Sequence, residues 1–357
     1  MIPRLLSLYI AKRFANILAI ILAAFGVIAF MVDYLTVLRR FADNEEFTGL
    51  VGLSFTAMRI PIVLDVLLPF VFLFGAVISL IGLSRKSEFV VARASGLSVW
   101  EFLRGPFAVA LLFGVMATMI FNPLAVVLKH RANQLEATLE GRAPRDKGYW
   151  FRQQGDDGQS IVHAGSASED GRTLFGVTAF VFTGSGEFHE RVVAPRAEFA
   201  GDRWTLADSS VLSAVSRRDG IRYELPTRLS AEGLKRTFLD PQALSVWSLP
   251  AAIDTAADIG QDPDPFRLAF HALLNRPLML LAMVLIAATV SLRLTRFGGM
   301  WKLVSTGAAL GFFFYIADGV LSDFGRNGVI DPVLAAWLLP MLALTFGATA
   351  LLYQEDG

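Results

Sequence analysis

The chain contains no cysteine. That excludes disulfides, thiolate chemistry and Cys-based metal sites. Its four histidines, His130, His163, His189 and His271, are widely scattered, so a His-rich metal site has no basis in the sequence. Charge is also scarce: 18% of residues are Asp, Glu, Lys or Arg, against roughly 25% in soluble domains. Lys and Arg balance Asp and Glu to a net charge of +0, so no basic footprint points to nucleic acid. The patterns G-x-x-x-x-G-K-[ST], G-x-S-x-G and H-E-x-x-H are all missing, so there is no phosphate-cradling loop, nucleophile elbow or zinc helix to read. The spans lack the series of buried carboxylates that relays protons in pumps. The chain reads as neither an enzyme nor a self-powered pump, and it needs no cofactor of its own.

What is abundant is apolar length. Hydrophobic residues make up 54% of the chain and mean hydropathy is +0.52. They concentrate in Phe14–Val32, Val66–Ser84, Gly105–Leu128, Pro277–Leu292, Leu303–Ala317 and Pro332–Tyr353. A membrane-spanning helix needs about 20 apolar residues. Four stretches meet that outright. Pro277–Leu292 runs on to Arg293, whose stem can snorkel, and Leu303–Ala317 is extended by Trp301 and Lys302 on one side and Asp318–Leu321 on the other. Phe14–Val32 is too long for a signal-peptide core and no A-x-A site follows it, so it reads as a retained first span. Asp65 and Asp318 are the main acids near the spans, and each suits a counter-ion role toward Arg59 or Arg276.

Between Lys129 and Asp264 the composition turns polar. Short runs such as YWFRQQ, SIVHAGSA, TLFGVTAFVFT, ERVVAPRAEFA, RWTLADSSVLSAV and IRYELPTRLSA alternate with the turn signals GDDG, SEDG, GSGE, AGDR and RRDG. Evenly spaced strands of this kind predict an all-β sandwich or jelly roll. The expected architecture is α-helical and membrane-embedded: three spans in residues 1–131, a β domain in 132–264, and three spans in 265–357. Lys and Arg in the short loops number ten on the side of the termini and three on the other. The positive-inside bias therefore places both termini in the cytoplasm and the β domain outside, in the periplasm of a Gram-negative cell.

The loop between spans two and three, SRKSEFVVARASGLSVWE, is more elaborate than a turn requires. Gly96 fits a helix stop, and Ser98-x-x-Glu101 fits a capping box that starts the next helix. Residues 85–95 are expected to form a short helix, apolar over a wide arc, that protein or lipid must cover. Arg85, Lys86 and Arg93 suit lipid phosphates; Glu88 suits an Arg on a cytoplasmic partner and favours docking. A second cluster runs against the charge bias: Arg39, Arg40, Lys129, Arg131 and Arg276 all fall on the outer side. They read either as snorkelling or locally paired cations (with Asp33, Asp43, Glu45 or Glu46) or as a rim that captures an anionic amphiphile, since guanidinium groups bind phosphate bidentately.

SEFVVARASGLS resembles the cytoplasmic loop of the LptF/LptG family of lipopolysaccharide-export permeases, and the order of spans, β insert and spans is that family's. LDPQALSVWSLPAAI resembles the stretch that closes its jellyroll and leans toward the LptG branch; RPLMLLAMVLIAATVSLR and GFFFYIADGVLSDFG resemble its fourth and fifth spans. The resemblance covers essentially the whole chain. It implies a half-permease of an ABC transporter, with six spans and an inserted periplasmic β-jellyroll. Its partners would be a second six-span, LptF-like permease, a cytoplasmic LptB-like ATPase dimer that binds the ATP, and a periplasmic LptC/LptA-like bridge, with lipopolysaccharide as cargo. It also implies a coupling helix carrying Arg85, Glu88, Phe89 and Arg93, and a lateral gate at spans one and five. One departure stands out. Relatives carry a Lys late in span one, where this chain reads IAFMVDYLTVLRR, with Phe30 and Tyr34 and no Lys. Either the phosphates sit higher, toward Arg39 and Arg40, or the lipid's charge pattern differs. A different class also fits the residues: a mechanotransmitting permease-like protein that couples ATP hydrolysis to a periplasmic event without moving lipid. An apolar interior in the β domain favours transport, whereas one filled by its own side chains favours mechanotransmission. A plain membrane-anchored scaffold leaves six spans unexplained.

Overall fold

The computed structural model describes residues 2–42, 47–85, 96, 98–140, 149–155, 158–168, 171–184, 186–213, 216–227, 241–258, 262–294 and 300–356. Helix α1 (Ile2–Arg40) and α2 (Gly49–Arg85) are followed by α3 (Val99–Met116), a π-helical turn (Ala117–Phe121) and α4 (Asn122–Glu140), which form one continuous third span. After the β region come a 3-10 turn (Pro241–Ala243), a short helix α5 (Leu249–Asp258), and α6 (Asp264–Leu294), α7 (Met300–Arg326) and α8 (Pro332–Asp356). Among the described residues, six helical segments are long and apolar enough to cross a membrane. Each of the six apolar stretches read from the sequence lies in one of them.

The helix start after Gly96 is as expected, whereas the short helix read over residues 85–95 lies, from 86 on, outside the described residues. Gly96 has φ +83°, a left-handed conformation that glycine adopts without a Cβ penalty. Ser98 Oγ accepts from the Glu101 amide at 3.2 Å, and the Ser98 amide donates to Glu101 Oε2 at 3.4 Å, closing the capping box of α3.

The centre of the bundle is α6, packed against α2, α3, α7 and α8. Leu280, Met283, Val284 and Ala287 of α6 meet Leu73 and Val77 of α2 in the main apolar cluster. Close approach is set by small residues: a Cβ on Gly114 of α3 would lie 2.4 Å from the Pro277 Cα. Proline also explains two polar contacts. Pro277 has no amide to offer the Leu273 carbonyl four residues earlier, and Thr118 Oγ1 donates to that carbonyl at 2.9 Å. Pro340 leaves the Ala336 carbonyl in the same state, and Asn275 Nδ2 donates to it. Side chains thus replace the missing backbone donors, as a span in hydrocarbon requires.

Residues 149–226 form one antiparallel meander in the order β1 (Tyr149–Gln154), β2 (Gln159–Ala167), β3 (Thr173–Phe182), β4 (Phe188–Phe199), β5 (Arg203–Ser213) and β6 (Arg217–Pro226). Register shifts between Leu206 and Ser209 and between Ser209 and Val211, with Asp208 at φ 51°, bend β5 against β6. The sheet curls until its ends meet: Gly155, just after β1, would bring a Cβ within 2.9 Å of the Pro226 carbonyl. Inside lies a core of Val162, Leu174, Val192, Leu206 and fully buried Trp204, whose Nε1 donates to Gln153 Oε1 of β1 at 3.2 Å. One expectation is corrected. RRDG was read as a turn, but it opens β6. Arg217 and Arg218 pair in register with Leu212 and Val211, Asp219 bonds Ser210 and Arg217, and Gly220 takes φ +69° at the bulge. The turn lies one step earlier, where the Ser213 amide donates to the Ser216 carbonyl at 2.9 Å. Helix α4 also runs to Glu140, past the sequence boundary at 131, so the spans reach beyond the membrane-depth residues before the sheet begins.

Candidate functional site

A cavity of about 850 Å³ opens between α2, α4, α6 and α7. Its lower wall is apolar, with Pro69, Phe70, Leu280, Met283 and Phe314 among its residues. Its upper wall carries Asp65, Lys129, Arg276 and Asp318. These four share one sequence property: each adjoins one end of an apolar stretch read from the sequence. Asp65 precedes Val66, Lys129 follows Leu128, Arg276 precedes Pro277, and Asp318 follows Ala317. Four helices therefore bring one ionisable residue each to the same cavity. Arg326 lines the cavity too, about two turns beyond Asp318 along α7.

The strongest polar contact in the ring is bidentate. Nη1 and Nη2 of Arg276 donate to Oδ1 and Oδ2 of Asp65 at 2.6 and 2.7 Å. Both side chains are partly buried, at 19% and 24% exposure, so the pair is open to the cavity without being dispersed in water. The counter-ion role read for Asp65 is borne out with Arg276, whereas Arg59 instead meets Asp33 at 3.4 Å.

The segment after the sheet roofs the cavity. Pro241, Gln242 and Leu244 line it. Three contacts hold this strap to the third span: Asn122 Oδ1 accepts from the Val246 amide at 2.9 Å, the Met119 carbonyl accepts from Trp247 Nε1 at 3.3 Å, and His130 Nε2 pairs with the Ala243 carbonyl at 3.1 Å. Two of these fall at the π turn or its boundary, the irregular backbone common at functional sites.

The structure divides the five outer cations. Lys129 and Arg276 line the cavity. Arg39, Arg40 and Arg131 do not; they lie where the end of α1, the start of α2 and α4 converge on Val37, Phe41, Phe55, Ala132 and Leu139. There Arg40 pairs with Glu136 of α4 at 2.6 Å and sits over the Phe41 ring. That partner is not among the acids expected for it, because Glu136 falls beyond the span read up to residue 131, and only the continuation of α4 to Glu140 brings it beside α1. Glu88, Phe89 and Arg93 lie outside the described residues, and so does the side chain of Arg85, the last residue of α2. Asp318, Arg326 and Asn122 were not singled out as binding residues. For Asp318 and Arg326 the signal was position, abutting or beyond an apolar stretch; for Asn122 it was an amide inside the stretch Gly105–Leu128.

The profile of the family described as "Lipopolysaccharide export system permease LptF/LptG" matches residues 8–353. The chain belongs to the LptF/LptG family. The lipopolysaccharide export system permease protein LptG of Escherichia coli (strain K12) is 24% identical over 345 residues, covering 94% of each chain. Its counterpart from Haemophilus influenzae is 25% identical over 300 residues, covering 81% of each. The family match takes in all six spans, the sheet, the strap and the cavity. As an LptF/LptG member the chain is a multi-pass inner-membrane transport subunit rather than an enzyme. Its cavity lies between spans that the family profile covers, and α7, which lines it, is with α1 the least buried of the six.

Proposed function

We propose that this lipopolysaccharide export permease of the LptF/LptG family draws lipopolysaccharide from the outer leaflet of the inner membrane into the cavity between α2, α4, α6 and α7. The observation that carries the reading is that Asp65, Lys129, Arg276 and Asp318 line one cavity together with apolar residues such as Phe70, Leu280, Met283 and Phe314. That is the polarity profile of an anionic lipid: acyl chains below, phosphates at the rim. The cavity's 850 Å³ lies within the range of small-ligand pockets, roughly 300–1,000 Å³, and cannot enclose a whole multi-chain lipid. Bare α1 and α7 offer an LptF-like permease the surface with which to complete the chamber. Both termini are then cytoplasmic, an LptB-like ATPase dimer binds the ATP and docks at the loop around Glu88, and the β domain passes cargo toward an LptC/LptA-like bridge. Arg39, Arg40 and Arg131 would meet sugars and phosphates further out than Lys129 and Arg276.

The mechanotransmitting reading has one observation in its favour: the β interior is filled by its own side chains around Trp204. It gives no reason for an apolar cavity crowned by charge, which is why transport is the better account. A photoreactive residue at Met283 in the intact complex tests it. Adducts with lipopolysaccharide are expected, and Arg276→Glu should reduce them about tenfold or more. Phospholipid adducts alone, in the parent chain, would sink the transport reading and leave mechanotransmission.

A further inference from the structure

The Asp65–Arg276 pair poses a problem for the cavity it lines. An anionic headgroup seeking Arg276 finds the end of its guanidinium fork already taken by a carboxylate at 2.6 and 2.7 Å. Cations without such tight engagement make a better receptor for a simple anion. The arrangement makes sense if the carboxylate is there to be overcome.

We propose that Asp65 sets a charge threshold for the cavity, admitting phosphomonoester headgroups and rejecting phosphodiester ones. This rests on the lipid-binding reading of the cavity. A phosphodiester, as in glycerophospholipids, carries a single negative charge. Substituting it for Asp65 exchanges one monoanion for another and leaves the carboxylate partly buried without its counter-charge, which is costly. Sharing the guanidinium instead places two anions side by side, which is also unfavourable. A phosphomonoester carries about −1.5 to −2 at pH 7 and offers more acceptor oxygens. It gains in Coulombic attraction to Arg276, and also to Lys129 and Arg326 on the neighbouring walls, what the diester does not. Asp318, from α7, adds a second carboxylate to the same ring and raises the threshold in the same sense. Selection thus comes from a repulsive element as well as an attractive one. The substrate class is a membrane lipid bearing phosphate monoesters in a bilayer composed mostly of diesters. Asp65 is a specificity-determining residue: it competes with the ligand for Arg276 rather than binding the ligand itself.

The test uses the full chain, purified with its native partners into vesicles, with a photoreactive residue at Met279. The vesicles contain equal mole fractions of phosphatidic acid, a monoester, and phosphatidylglycerol, a diester with matched acyl chains. In the parent chain at pH 8 the monoester adduct is expected to exceed the diester adduct about tenfold. Asp65→Asn should raise the diester adduct until the ratio is near one. An unchanged ratio in that variant would overturn the proposal. A second measurement needs no variant. Lowering the pH from 8 to 5 protonates the monoester to a monoanion, with a second pKa of about 6, and the parent chain's preference should collapse. A preference that persists when both lipids carry one charge would overturn the threshold independently. No adduct with either lipid at any pH would instead overturn the cavity reading, and the inference with it; equal adducts in the parent chain would overturn the threshold alone.

Discussion

Thr118 and Asn275 stand in for the amides that Pro277 and Pro340 lack, and each substitution tests one carbonyl. Thr118→Val keeps the shape of the side chain and leaves the Leu273 carbonyl unbonded between α3 and α6. A loss of about 1 kcal/mol is expected, read as a lowered unfolding temperature of the detergent-purified chain, and no change would show that the carbonyl finds another donor. In the sheet, Ser210 first and Arg217 second hold the Asp219 carboxyl below the usual carboxylate range. A depressed folded pKa contributes stability that is present above the unfolded value, about 4, and is lost as pH falls through the folded one. Acidification below about pH 4 should therefore weaken the β5–β6 hairpin, seen as faster amide exchange there, and Asp219→Asn should remove that part of the pH dependence. At this scale legibility was uneven. Asp65 could be read from the sequence as a counter-ion for Arg59 or Arg276 because it abuts an apolar stretch, and the structure selects Arg276. Thr118 with Leu273 could not, because nothing in a linear pattern says that a hydroxyl in one helix lies beside a carbonyl freed by proline in another.

Among the elements, the capping box at Ser98 and Glu101 was readable because it is local, fixed by residues within a turn of each other. The strands were readable from alternation and turn residues, except where RRDG carried turn composition into the start of β6. There the cross-strand partners Ser210, Val211 and Leu212 override local preference. The π turn had no sequence signal; it is set by the contacts that Thr118, Met119 and Asn122 make with α6 and the strap. Gly114 marks how closely α3 and α6 approach. Gly114→Val puts a branched side chain against the Pro277 backbone, and the backbone shift it forces should cost roughly 1–3 kcal/mol, with Gly114→Ala intermediate in the same thermal assay. The proposed coupling role of the loop around Glu88 is tested by Glu88→Ala in the purified complex. Loss of ATPase association with the fold intact is expected, and unchanged assembly and transport would remove Glu88 from the coupling site.

For the whole molecule, the alternation of spans, β insert and spans was legible because hydropathy and strand alternation are coarse signals that survive low identity. The cavity was not legible, since it depends on which four helices meet. Only the repeated placement of an ionisable residue at one end of an apolar stretch hinted at a shared site. The central claim is that this cavity carries lipopolysaccharide outward with energy from a partner ATPase. The most direct measurement is release of lipopolysaccharide from proteoliposomes containing the chain and its co-purified partners to an external acceptor. The account predicts release that requires ATP and is lost in Arg276→Glu while ATP hydrolysis continues. ATP hydrolysis without release in the parent complex, or release undiminished by Arg276→Glu, would contradict it.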